Sequence, residues 1–174
     1  MQDDLSEQLI ALIPRLRRFA CGLVGSVDRG DDLVQAACER LLNHRSRLRP
    51  DTRLDSWLYQ VIRNLHVDSI RAQSVRDRGA VQMGQIAELM PSAAKALDDH
   101  LLLREVQDAM QKLPEDQRSA LMLVCVEGFS YKEAADVLQV PMGTVTSRLV
   151  RGRKALMLLL GDEERAIAQL EASK

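Results

Sequence analysis

Between Ser130 and Lys154 the sequence permits little besides two short helices crossing at a tight turn. Ser130 and Glu133 have the spacing of a capping box, in which a hydroxyl and a carboxylate satisfy backbone amides left unpaired at a helix start. Ala134, Ala135 and Leu138 give the first helix a small apolar inner face, and Pro141 with Gly143 breaks the pattern after Val140. Placed at about 100° per residue, Val145, Leu149, Gly152 and Leu156 share a narrow arc. Ser147, Val150, Arg151 and Lys154 lie opposite, flanked by Thr146, Arg148 and Arg153. A helix seated through small residues on its predecessor, with hydroxyls and guanidiniums outward, has the form of a helix-turn-helix reader of the DNA major groove. The same pattern also fits an αα-hairpin whose outer face is simply solvated.

The remainder of the chain is helical in character as well. Aromatic residues make up only 3% of it, β-branched runs are few, and period-2 alternation is almost absent, so the expected fold class is all-α. With 174 residues there is room for one ordinary domain or two small ones. The net charge of −1 speaks against a uniformly basic nucleic-acid binder, but the charges are unevenly placed. Thirteen arginines face eight acids between Leu12 and Arg78, whereas Gly79 to Ser130 holds four basic and eight acidic residues. A basic first domain, an acidic connector and a focused basic helix keep DNA available as a partner.

Leu9, Leu12, Ile13, Leu16, Ala20 and Leu23 recur at helical spacing in a first amphipathic helix, leaving Arg15, Arg17 and Arg18 for its outer face. Asp28-Arg29-Gly30 reads as a turn, with Asp31 and Asp32 in the first turn of a second helix, where the helix dipole favours them. That helix buries Leu33, Val34, Ala37 and Leu41 and leaves Asp32, Gln35, Glu39 and Arg40 outward. A third helix, from about Asp55 to Ala72, has an inner stripe of Leu58, Val61, Ile62 and Leu65. Trp57 and Asn64 lie on one flank and Tyr59 and Arg63 on the other. The Trp57 and Asn64 flank suits stacking on and hydrogen bonding to an unpaired base, although Trp57 in the core and Asn64 in solvent would satisfy the same spacing.

Gly79, Gly84 and Pro91 then dissolve the periodicity, as expected of an interdomain linker. A helix from Leu97 to Lys112 and an apolar one from Pro114 to Glu127, closed by Gly128, precede the helix-turn-helix stretch. The expected organisation is a domain over 1–75, a flexible linker over 76–96, a second domain over 97–161 and a tail over 162–174. Cys21, Cys38 and Cys125 are odd in number, far apart and set among apolar neighbours, so buried free thiols are expected. The histidines have no ligand spacing, and no metal, cofactor or catalytic constellation is expected. Neither a signal peptide nor a membrane-length apolar run is legible, which suggests a cytoplasmic protein without membrane insertion.

Together these stretches resemble the bacterial sigma-70 family of transcription initiation factors, in its small two-domain extracytoplasmic-function group. Asp31-Asp32-Leu33-Val34-Gln35 is similar to the region 2 helix that docks on the polymerase β′ clamp. Ser56-Trp57-Leu58-Tyr59-Gln60-Val61-Ile62-Arg63-Asn64-Leu65 resembles the promoter-melting, −10-reading helix. Leu113-Pro114, Glu127-Gly128, Ser130-Tyr131, Glu133, Ala135 and Gly143-Thr144-Val145 through Leu156 look like region 4, which reads the −35 element.

The resemblance implies an RNA polymerase sigma factor without enzymatic activity of its own. It implies core-polymerase contacts through Asp31, Asp32, Gln35 and Glu39 on the β′ clamp, with region 4 on the β flap. Asn64 would help hold a flipped −10 base on a helix shared with Trp57, Tyr59 and Arg63. Thr144, Thr146, Ser147, Arg148, Arg151 and Lys154 would meet the −35 duplex, with Arg151 the first choice for base readout. An anti-sigma factor is the further implied partner, and the free chain would be a monomer.

Some positions depart from the family pattern. Ala36, Ala37 and Cys38 are small where an acid and a large aromatic are common, Gln139 replaces a usual glycine in the turn, and Thr146 stands where many members carry Lys or Arg. The rival reading is a stand-alone helix-turn-helix regulator that binds duplex operator DNA without polymerase.

Overall fold

A computed structural model describes residues 2–45, 48–49, 52–77 and 97–161. The expected linker over 76–96 lies outside these residues from position 78 onward, and the tail over 162–174 lies outside them entirely. The described residues form helices without strands: α1 (Gln2–Val24), α2 (Val27–His44), α3 (Leu54–Asp77), α4 (Leu97–Gln111), α5 (Glu115–Leu121), α6 (Tyr131–Leu138) and α7 (Met142–Leu159), with a π-helical segment, Met122–Val126, continuing α5.

The first three helices pack around Leu16, Phe19, Leu23, Leu41, Leu58 and Ile62, all fully buried. Each such side chain contributes roughly 1.5–3 kcal/mol when removed from water. The junction of α1 and α2 differs from the sequence expectation. Asp28-Arg29-Gly30 is not a turn: the chain reverses at Gly25, whose φ of +68° is left-handed. Ser26 then caps α2 by accepting from the Arg29 amide. Gly30 instead permits close approach, since a methyl group there would lie 2.9 Å from the Cys21 nitrogen and 3.0 Å from its Cα.

In the second unit the Glu127 amide bonds to the Met122 carbonyl at 2.9 Å, closing the wider i to i+5 turn of a π-helix. Gly128, at φ +77°, then ends the run. The capping box is complete, with the Ser130 hydroxyl accepting from the Glu133 amide and the Glu133 carboxylate accepting from the Ser130 amide. Gln139 follows α6 at φ 54° and ψ 45°, the left-handed conformation that a side chain resists. Val145, Leu149 and Gly152 are buried on α7 as their arc requires. A methyl group at Gly152 would approach Leu121 Cδ1 to 2.9 Å, so α7 lies directly on α5.

The two helical units share one apolar core. Phe19 of α1, Tyr59 of α3 and Phe129, just before α6, stack edge to face with successive centroid separations of 4.9 Å. Across the same boundary the Gln111 amide donates to the Gly22 carbonyl at 2.8 Å, and the Met122 side chain fills the space over Gly22. The cysteines are free but not fully buried: Cys21 and Cys38 are half-buried and Cys125 is exposed. Cys125 sits where the π-helical segment has turned outward, within 3.5 Å of the Arg153 guanidinium.

Candidate nucleic-acid interface

The outer side of α7 is built as its periodicity requires. Thr146, Ser147, Val150, Arg151 and Lys154 are exposed, and Thr144 is half-buried in the first turn. Thr146 donates back to the Met142 carbonyl at 3.1 Å and Ser147 to the Thr144 carbonyl at 2.9 Å, so both hydroxyls are held against the helix. The Arg151 guanidinium lies along the same surface, donating to the Ser147 carbonyl and hydroxyl at 3.2 and 3.3 Å. These bonds are local and exposed, and a base edge or phosphate could replace them at little cost.

Arg148 differs from its neighbours. Its side chain is only 15% exposed and pairs with Asp116 at the start of α5 at 3.1 Å, so this guanidinium anchors α7 within its own unit. No acid occupies the first turn of α7, leaving the positive end of its dipole open toward any approaching anion.

On α2, Asp32, Gln35 and Glu39 are exposed on one face, where Gln35 donates to Glu39 at 3.1 Å. Asp31 accepts two hydrogen bonds from Arg17, at 2.6 and 2.8 Å. That hydrogen-bonded cation holds its carboxyl below the usual carboxylate range.

The residues singled out on α3 have divergent surroundings. Trp57 and Asn64 are half-buried, whereas Tyr59 is fully buried. Arg63 pairs with Glu115 of α5 at 3.5 Å. Arg53, Trp57 and Gln60 line one side of a cleft of about 260 Å³ between α3 and α6, and Glu133, Asp136 and Val137 line the other. Arg53 donates to Asp55 and also to Glu133 across the cleft. The Arg53 contact, followed by the Ser130 amide and hydroxyl, holds the Glu133 carboxyl down at about 2.

Sequence reasoning left Arg15 and Arg18 on an outer face, yet both reach Glu127. Arg15 Nε and Arg18 Nη2 approach Glu127 Oε2 at 3.3 and 3.0 Å, and Arg18 Nε meets Oε1 at 2.8 Å. The Tyr59 hydroxyl donates to Oε2 at 2.6 Å. The one sequence signal for this cluster is an acid closing the apolar run from Ala120 to Val126. Among the described residues, no group of His, Cys, Asp and Glu is placed to hold a metal ion, and no helix is long and apolar enough to cross a membrane.

Comparisons with known proteins cover both units. Residues 103–156 match the family described as sigma-70, region 4, and residues 9–63 match the sigma2 domain of PhyR. The chain is 38% identical over 160 residues to the ECF RNA polymerase sigma factor EcfG of Rhodopseudomonas palustris, covering 92% of this chain and 87% of that one. It is 31% identical to the RNA polymerase sigma factor CarQ of Myxococcus xanthus, covering 97% and 95%. Among solved structures, the sigma factor RpoE in complex with the anti-sigma factor NepR from Bartonella quintana aligns with a TM-score of 0.79 and 30% identity, over 92% of this chain and 98% of that one. CnrH, solved with the cytosolic domain of CnrY, has the same fold at a TM-score of 0.70 and 21% identity, over 94% and 91%.

Proposed function

The chain belongs to the sigma-70 family, in its extracytoplasmic-function group, and acts as an RNA polymerase sigma factor rather than a stand-alone duplex regulator; from that premise we propose how its surfaces divide the work of promoter recognition. The second unit, 97–161, lays α7 in the major groove of the −35 element. Arg151 reads a base, Thr144, Thr146, Ser147 and Lys154 contribute base and phosphate contacts, and Arg148 holds the helix at the angle this requires. Phosphate contacts fix the register while base contacts specify the sequence.

The first unit, 1–75, docks on the β′ clamp of core polymerase through Asp31, Asp32, Gln35 and Glu39, and region 4 meets the β flap. Trp57 and Asn64 on α3 receive unpaired −10 bases, with Tyr59 and Arg63 shaping the same helix. Strand separation costs a few kcal/mol per unstacked step, and capture of flipped bases offsets part of that. The chain brings no cofactor and no chemistry of its own, since polymerase supplies the active site. We place it in the cytoplasm, monomeric when free. Because the solved relatives are bound to NepR and CnrY, an anti-sigma factor is the further partner we assign.

The observation that carries this reading is the exposed hydroxyl and guanidinium face of α7, opposite the buried Val145, Leu149 and Gly152. In vitro transcription with core polymerase on a promoter library tests it. Enrichment of a paired −35 and −10 motif is expected, and a −10 motif with no −35 preference would overturn the role of α7.

A further inference from the structure

We propose that α7 reads thymine through an apolar row, Thr146 and Val150, that runs beside its hydrogen-bonding row of Ser147 and Arg151. Each apolar side chain meets the C5-methyl group of one thymine in the −35 duplex, and the two thymines lie about two base steps apart. This rests on the −35 role given to α7 above and states which base chemistry that helix selects.

Positions four apart stand one above the other on a helix. Met142, Thr146 and Val150 form such a row, and all three are exposed. Ser147 and Arg151 form the adjoining row, with the guanidinium donating to the hydroxyl at 3.3 Å. Thr146 counts with the apolar row because its hydroxyl is turned back to the Met142 carbonyl at 3.1 Å, which leaves the γ-methyl as the group free to meet a partner. Exposed apolar side chains scattered singly are ordinary on a protein surface. An aligned row beside a guanidinium row divides the face lengthwise into two chemistries.

Charge decides what covers this face. Over its 18 residues α7 carries Arg148, Arg151, Arg153 and Lys154 and no acid, although the chain holds 25 Asp and Glu. A polyanion fits that helix, whereas an apolar protein surface laid on Val150 would also desolvate Arg151 and Lys154 without pairing them. Within the major groove the base edges offer hydrogen-bond donors and acceptors and a single apolar group, the thymine methyl. Valine placed over any other edge would strip water from a donor or acceptor and return nothing. Its branched side chain has one strongly preferred rotamer in a helix, so the methyl surface is set before DNA arrives. Thr146 and Val150 are separated by roughly 6 Å of helix rise, against about 3.4 Å for each base step, which gives the spacing of the two thymines for a helix lying along the groove.

The test removes the methyl and nothing else. Each thymine of the −35 motif enriched from the promoter library, on either strand, is replaced in turn by deoxyuridine, which pairs as thymine does. Transcript yield is measured with core polymerase and the full chain below saturation, for wild type, Val150→Ala and Thr146→Ser. Both substitutions lie at exposed positions, and Thr146→Ser keeps the hydroxyl that bonds Met142 while removing the γ-methyl. Methylated cytosine would offer the same C5 group, so unmodified synthetic strands are used, in which thymine is its only source.

Wild type should lose on the order of fourfold for each of two methyl groups. Val150→Ala should lower yield on the thymine template and become indifferent to deoxyuridine at one of those positions, and Thr146→Ser at the other. Equal wild-type yield with thymine and deoxyuridine throughout the −35 motif would overturn the proposal. So would variants that lose yield on both templates alike, since the side chains would then act on the helix or on polymerase. Failure of the underlying reading is a separate result, visible before any substitution: a library without −35 preference would remove α7 from DNA readout altogether.

Discussion

The Tyr59 hydroxyl donates to Oε2 of Glu127 at 2.6 Å, joining α3 to the end of the π-helical segment across 68 positions of sequence. Phe19 and Phe129 each pack edge to face with the Tyr59 ring, so one phenol supplies both the apolar body and the polar tip of the contact between units.

Tyr59→Phe keeps the ring stack and removes only the donor. Because the acceptor is a buried carboxylate, the expected loss is about 1.5–3 kcal/mol, read from urea unfolding. The pH dependence has a definite sign. Burial, then the Glu127 bond, raises the phenol above its ordinary value of 10.0. Its contribution is therefore complete below pH 10 and declines as pH rises beyond that value. Wild type should lose stability there faster than Tyr59→Phe, and parallel alkaline curves would contradict the assignment.

Gly30→Ala should destabilise the protein although alanine favours helix by about 1 kcal/mol. The added methyl meets the Cys21 backbone, which cannot rotate away as a side-chain terminus can. Overpacking of this kind costs roughly 1–3 kcal/mol, so the melting temperature should fall. A rise would mean that α1 and α2 separate freely at this point.

Gly30 also marks what sequence can and cannot disclose. The faces of α7 were legible because an apolar arc fixes which residues point inward, and Val145, Leu149 and Gly152 are indeed buried. A glycine beside two aspartates reads equally as a turn or as a close approach, and only the packing of α1 on α2 decides between them. Arg15, Arg18 and Tyr59 pose a longer-range problem. Periodicity assigns a residue to a side of its helix but not what covers that side, and their partner lies in the other unit.

Gln139→Gly should stabilise the protein by about 0.5–1 kcal/mol, the left-handed strain relieved less the entropy glycine loses on folding. Gln139 is exposed, so little packing is forfeited. Thermal melts of the two proteins are sufficient, and a lower melting point for the glycine variant would show that the Gln139 conformation carries no strain.

His66 is 3% exposed, and neither ring nitrogen has a protein hydrogen-bond partner. Burial above all, then the facing Arg118, lowers its pKa to about 4, with Arg29 and Arg63 adding to that effect and Glu115 opposing it. A depressed value means the folded state favours the neutral ring. Stability is thus complete above the ordinary value of 6.5 and falls as pH drops toward 4. The full effect is on the order of 3 kcal/mol. Urea unfolding of wild type and His66→Leu between these limits should show the slope flattening in the variant, and identical slopes would exclude His66 as its source.

Arg148 and Arg151 are both region 4 guanidiniums, yet their surroundings predict different failures. Arg148→Ala breaks the pair with Asp116 and should lower unfolding stability by roughly 0.5–1 kcal/mol. Among the described residues Arg151 is exposed and its hydrogen bonds go to Ser147 of its own helix, so Arg151→Ala should melt like wild type. A lost base contact is worth about 1–3 kcal/mol, so Arg151→Ala should reduce transcription from a −35-dependent promoter by roughly ten- to a hundredfold without weakening core-polymerase binding. A matching loss in a core pull-down would move Arg151 from DNA readout to polymerase contact.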